Sequence, residues 1–538
     1  MSQITCHRLV TPVLTLSKLK DLVPSPSIRL PLHPYSKLLV AQIPEIAVHI
    51  GNMSCVSGNL LVSGDVQASA ETIINLRGID RLCRTVTICA LPDDVLLEIF
   101  SFHVDRPLWS REDPLDAWHT LVHVCRQWRH VVFASPRGLN LRLRCTNERS
   151  VQTMLGVWPA LPIVVEGRYG MSRPQVERNI MTALKQRDRV CKIDLSPAPI
   201  SLLRRLRAIK EPFPVLTDLG LFPTRSAKAP VLPDSFLGGS APRLRSLHLD
   251  GIPFPGLPKL LLSTTELVDL ELVDIPNLGY ISPEAMATSL ASLTRLQRLC
   301  LGFHPQSYVV ANRLPHLLTR IVLPALTSLF FIGDNEYLED ILSRLDAPLL
   351  HYINIEPFRK EVFDTRQLRH LISRTENFKE PHRAIVEFFG SHMSLILFSR
   401  GVTTDHHSLV LKTSQISWYW PLSSFAQFCS SALPPLPTLE RLEIRKYWQS
   451  PFGNTGEWLE LLHPFTSVKN LSLPNRAAGC LAPALQGLTV DTVTGTLPAL
   501  ETLLLQGSAR SGPTQEAIAQ FVATRQLSGR PVAVLYYD

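Results

Sequence analysis

The sequence predicts an α/β fold in which a strand and a short helix recur many times, preceded by a small all-helical segment. Three observations predict it. A six-residue apolar template repeats along the last 400 or so residues. Two amphipathic helical stretches stand just before the repeats. Proline runs high, at 43 against 26 Gly in 538 residues, and much of it falls at one place in the repeat. Hydrophobic residues make up 45% and charged residues 19%, which excludes a mainly disordered chain and a multi-span membrane protein.

The repeat carries most of the information. The template L-x-x-L-x-L, with apolar swaps, begins at Val190, Leu216, Leu244, Leu267, Leu296, Leu326 and Leu350, and again at Leu439, Val468 and Leu500, so successive starts lie 23 to 32 residues apart. Leu139–Leu143 and Leu161–Val165 look like two preceding strands. A Pro stands before the strand at Pro242, Pro324, Pro348, Pro437 and Pro498, where it stops the preceding helix and fixes the entry of the chain. Helix-like segments such as Pro283–Leu293, Tyr337–Leu345, Gln367–Ser373 and Glu457–Leu462 lie between strands. A strand plus a short helix at this period is an irregular leucine-rich-repeat solenoid, a horseshoe, and it is assigned to 137–538. The Asn or Cys that commonly follows the template is missing. Within the gap after Leu350, Ala384–Phe389 and Ser394–Phe398 around Gly390-Ser391 read as a β-hairpin.

Residues 87–136 form the helical segment. Leu91-Pro92-Asp93-Asp94 opens a helix, with Pro at its entry and acids in the first turn, followed by Val95, Leu96, Ile99 and Phe100 on one stripe. A polar loop follows over Asp105–Asp116. A second helical stretch is predicted from Trp118 to Phe133, with Leu121, Val124, Cys125, Trp128 and Val132 in register. Two helices this short need another surface to bury their stripes, which suggests a helical partner. Residues 1–86, with Pro/Ser-rich stretches and no sustained period, are expected to be a poorly ordered leader.

Charge and chemistry narrow the function by exclusion. The formal charge of +8 is spread thinly and speaks against a nucleic-acid binder; Arg204, Arg205 and Arg207 read as a solvated helix face. The ten cysteines are scattered without metal or redox spacing, as in a reducing compartment. No phosphate loop, nucleophile elbow or metal motif is present, so neither catalysis, a cofactor nor a metal is expected. His119 and His123 share a helix face without a third ligand, and Asp405-His406-His407 reads as a loop. No apolar run approaches the length of a membrane span.

Leu91-Pro92-x-x-Val95-Leu96-x-x-Ile99-Phe100, followed by Leu121-x-x-Val124-Cys125-Arg126-x-Trp128-Arg129, resembles an F-box. With Arg137–Leu143, Leu232–Gly239 and Trp458–Phe465, the likeness extends over roughly 91–538 to the large group of F-box proteins of mushroom-forming fungi. Two departures are Asp94, where Glu is common, and the long 105–116 loop. The resemblance implies a non-catalytic substrate receptor of an SCF-type cullin–RING ubiquitin ligase, cytoplasmic or nuclear, binding a Skp-type adaptor and through it a cullin. By that analogy Leu91, Pro92, Val95, Leu96, Ile99, Phe100, Val124, Cys125 and Trp128 would pack on the adaptor.

The repeats would hold a protein substrate. In each template the leucines point inward and the residues between them face outward. The candidates for that contact are His248, Asp250, Asp269, Glu271, Arg298, Tyr352, Asn354, Arg441, Glu443 and Arg445. Their mixed sign suggests a protein rather than a nucleic-acid backbone. A second reading is a non-ligase interaction scaffold whose helices dock on its own repeats; it requires Val95, Ile99 and Phe100 to be covered in the isolated chain.

Overall fold

A computed structural model describes residues 91–537, apart from 105–116, 137, 146–149, 168–173, 225–227, 305–319, 359–363, 390–391, 400–405, 414–420, 448–453 and 507–511. The chain divides into two units, Met1–Ala90 and Leu91–Asp538. The leader assigned to 1–86 and the polar loop over 105–116 lie outside the described residues. The helical segment and the repeats fall in one unit.

The unit is α/β, with a sixteen-stranded sheet as its frame. From Leu143–Cys145 to Tyr352–Pro357 each strand of that sheet pairs in parallel with the one before it in sequence, and the pattern resumes from Arg441–Lys446 to Ala533–Tyr537. The template leucines stack in columns. Leu219, Leu247, Leu270, Leu299, Leu329 and Ile353 are successive register partners, and all are buried. The period of two in each strand turns these side chains toward the helices, which pack one on the next along the same side.

The prolines gain a sharper role than helix stops. Each precedes a strand inside a four-residue turn closed by a backbone bond, as Leu244 N to Ala241 O at 3.0 Å, Leu326 N to Leu323 O at 3.2 Å and Leu500 N to Leu497 O at 3.0 Å. Pro242, Pro324 and Pro498 are the second residues of those turns, where a fixed φ near −65° is wanted. Phe213-Pro214-Val215-Leu216 repeats the device, closed at 3.2 Å.

The hairpin expected after Leu350 is present as Pro381–Phe388 and Met393–Ser399, and it belongs to a larger insertion. A third strand, His406–Lys412, pairs antiparallel with Met393–Ser399 and parallel with Tyr352–Pro357. The loop predicted at Asp405-His406-His407 is thereby corrected: His406 and His407 begin a strand, because Ser408–Leu411 supplies alternating residues that complete the ladder. The insertion enters the sheet in reverse order, and Pro381–Phe388 then pairs in parallel with Arg441–Lys446.

Before the repeats lie helices α1 (Asp93–Val104), α2 (Ala117–Val122) and α3 (Arg126–Ala134). The single helix expected over Trp118–Phe133 is two. Cys125 takes an extended conformation (φ −155°, ψ 173°) and caps α3, its Sγ accepting from the Trp128 N–H at 3.5 Å. The two pieces are held together by Arg129 Nε, which donates to Val122 O at 3.0 Å.

Candidate functional site

Two surfaces follow from this frame, the outer side of α1–α3 and the outward face of the sheet. On the first, the nine adaptor candidates divide. Leu96, Phe100 and Trp128 are buried in the chain's own core, together with Trp118, Val131, Leu141 and Leu143. The Phe100 and Trp128 rings lie 4.7 Å apart, and Trp118 Nε1 donates to Arg142 O at 3.1 Å, tying α2 to the lead of the first strand. These three are covered within the isolated chain and not turned outward. The three short helices pack on one another, and Trp118 joins them to the residue before the first strand.

The other six stay at or near the surface. Ile99 is 39% and Val124 54% exposed, Pro92 is exposed, and Leu91, Val95 and Cys125 are half-buried. His119 stacks on Trp158 with ring centroids 5.0 Å apart, in a packing role.

On the sheet face the register brings the substrate candidates into two groups. Asp269 and Arg298 are cross-strand partners joined by a two-pronged bond, 2.6 Å to Oδ1 and 2.8 Å to Oδ2. His248 and Glu271 are partners too, with Nδ1 2.5 Å from Oε2, and the Phe222 ring meets the imidazole edge-on at 4.4 Å. Asp250 sits one pleat further along the same strand. Tyr352 and Asn354 continue these rows, with Tyr352 against Phe330 at 4.9 Å; burial raises the Tyr352 hydroxyl.

Arg441, Glu443 and Arg445 lie beyond the insertion, with its three strands between them and Tyr352. The structure adds Arg383 and Glu387 to them, which sequence reasoning missed. Arg383 donates to Glu443 at 2.8 Å, Arg445 to Glu443 at 2.6 Å and to Glu387 at 3.3 Å. The available signal was the spacing Arg383-x-x-x-Glu387, which in a strand puts both residues on one face. Arg441 remains exposed. Alternate positive and negative groups tie neighbouring strands here.

Among the described residues no three His, Cys, Asp or Glu side chains are placed to hold a metal ion. No described helix is long and apolar enough to cross a membrane.

Two groups at this end make stability sensitive to acid. Burial pushes the His392 imidazole from its ordinary 6.5 down to about 4, with the Lys412 charge adding to the effect. Between those values the unfolded chain binds the extra proton, so stability falls as the pH drops through that window. Burial alone would raise the Glu443 carboxyl, but bonds from Arg445 and Arg383 outweigh it and hold the group below its ordinary value. Its contribution is present above the unfolded carboxylate range and is lost as pH falls through the lowered value. Urea midpoints are expected to decline from pH 7 to pH 4, and His392→Phe to flatten the upper part of that decline. An unchanged slope in His392→Phe would remove His392 from the account.

No family model matches the chain, and no curated protein matches it.

Proposed function

We propose that this protein is the substrate-recognition subunit of an SCF-type cullin–RING ubiquitin ligase, of the kind found among the F-box proteins of mushroom-forming fungi. It would be a non-catalytic receptor, cytoplasmic or nuclear, with α1–α3 as its F-box and the repeats as an irregular leucine-rich-repeat solenoid. The observation that carries the reading is the division of the F-box-like residues. Leu96, Phe100 and Trp128 are buried in the chain's own core, while Leu91, Pro92, Val95, Ile99 and Val124 present a partly open apolar face for a Skp-type adaptor. The stacked leucine columns and parallel register support the solenoid, and the paired charges of its outward face support a protein substrate.

Pull-down with a fungal Skp-type adaptor tests the proposal. Ile99→Asp is expected to weaken binding by roughly 30-fold or more, about 2 kcal/mol, because it sets a carboxylate into an apolar contact. Arg441→Ala, on the substrate face, is expected to leave adaptor binding unchanged. A wild-type chain that fails to bind, or Ile99→Asp binding as well as wild type, sinks the reading.

A second reading, a leucine-rich interaction scaffold without a ligase, draws on the burial of Phe100 within the chain. It is favoured if the helices are folded and the adaptor does not bind.

A further inference from the structure

The strand Arg441–Lys446 breaks the rule of its neighbours at its last residue. Its inward positions are Leu442, Ile444 and Lys446, so a lysine takes a core-side place where its register partner on the adjacent strand is Phe388. Only 8% of that lysine is exposed. Its Nζ lies 2.8 Å from the Sγ of Cys480, on the helix Asn475–Gln486, where Cys480 is partly buried against the core. Lysine is among the residues least often buried, and such a departure from pattern in a well-formed strand points to a use beyond packing. Here it puts an amine and a thiol within bonding reach, from two elements adjacent in the stack.

We propose that Lys446 and Cys480 are an oxidant-triggered crosslinking site, joined by a sulfur–nitrogen bond that ties strand to helix. Hydrogen peroxide first oxidises the sulfur by two electrons, giving Cys480–SOH, while the peroxide is reduced to water. The Lys446 nitrogen then attacks that sulfur. The S–N bond forms, the S–O bond breaks, and the hydroxyl leaves as water with one ammonium proton, a second proton passing to solvent. Two equivalents of an added thiol return the free cysteine and amine and become a disulfide.

Burial disfavours four of the six described thiols as targets. Burial pushes Cys145 up to about 11 and Cys300 up to about 12, and raises Cys191 and Cys429 as well. These four stay protonated at neutral pH and react slowly with peroxide. The crosslink would also fix the strand whose opposite face carries Glu443 and Arg445. The inference does not depend on the ligase reading.

The test is peptide mass mapping of the full chain after peroxide, without reductant. Wild type is expected to give a joined peptide pair containing Lys446 and Cys480, two hydrogens lighter than the sum, and dithiothreitol is expected to release it. Lys446→Arg and Cys480→Ser are expected to abolish the pair. Wild type alkylated with iodoacetamide before peroxide gives the same loss without any variant having to fold. Recovery of Cys480 unmodified, as sulfinic acid or as a dimedone adduct, with no joined pair, overturns the proposal. So does a joined pair that persists in Lys446→Arg.

Discussion

Phe100→Ala is expected to destabilise α1–α3 by about 3–5 kcal/mol, the range for emptying an aromatic site in a packed core. The ring is fully buried and touches Trp128, and α1 packs on both α2 and α3, so closing the cavity takes movement of more than one element. The neighbouring Ile99→Ala is expected to have little effect on stability, because that side chain lies about 100° further round the helix and is largely open. Amide hydrogen exchange reads the result locally. Protection over 93–134 should collapse in Phe100→Ala and persist in Ile99→Ala. The opposite pattern would mean that α1 is turned about its axis and that Phe100, not Ile99, faces a partner. The contrast also protects the adaptor test: loss of binding in Phe100→Ala follows from unfolding, whereas loss in Ile99→Asp with intact protection reports the contact itself.

The same helix shows what the sequence carries and what it leaves open. Val95, Leu96, Ile99 and Phe100 mark an apolar stripe in any reading, since a helix facing its own core and one facing a partner select the same residue types. Which members face inward is decided by packing between helices, as of Phe100 against Trp128, which no spacing within α1 specifies. In the repeats the ambiguity vanishes. The period of two fixes the inward face of each strand, and the period of 23 to 32 residues fixes its neighbour, so strands from Val190 to Leu350 were legible with their partners. Legibility failed where the order of pairing changes. Arg383 and Glu387 meet Glu443 and Arg445 only because three inserted strands run back through the sheet, and no local pattern specifies that reversal. Lys446 was invisible for a related reason: its contact partner lies 34 residues on, in the second helix after the strand.

Arg525→Ala is expected to be the other large loss, about 3–5 kcal/mol, at the far end of the repeats. Arg525 lies on the helix Pro513–Leu527 with no exposed surface, donating from Nη1 to Val493 O at 3.2 Å and from Nη2 to Leu500 O at 3.0 Å. Val493 ends the short helix Val490–Val493, and Leu500 is the last residue of the turn that leads into Thr502–Gln506. One planar guanidinium therefore holds two chain reversals, a task its fork of donors suits. Burial lowers its pKa, with Arg530 adding to the effect, yet an arginine keeps its charge over the accessible pH range. Alanine leaves both carbonyls unmet and opens a cavity. Arg525→Met separates the two costs: it refills most of the volume and also removes the desolvated charge, but it supplies no donors. It is expected to recover about half of the loss, read as the urea midpoint and as amide protection of Thr502–Gln506. If Arg525→Met equals or exceeds wild type in stability, desolvating the cation costs as much as its two bonds return, and the role assigned to Arg525 here fails.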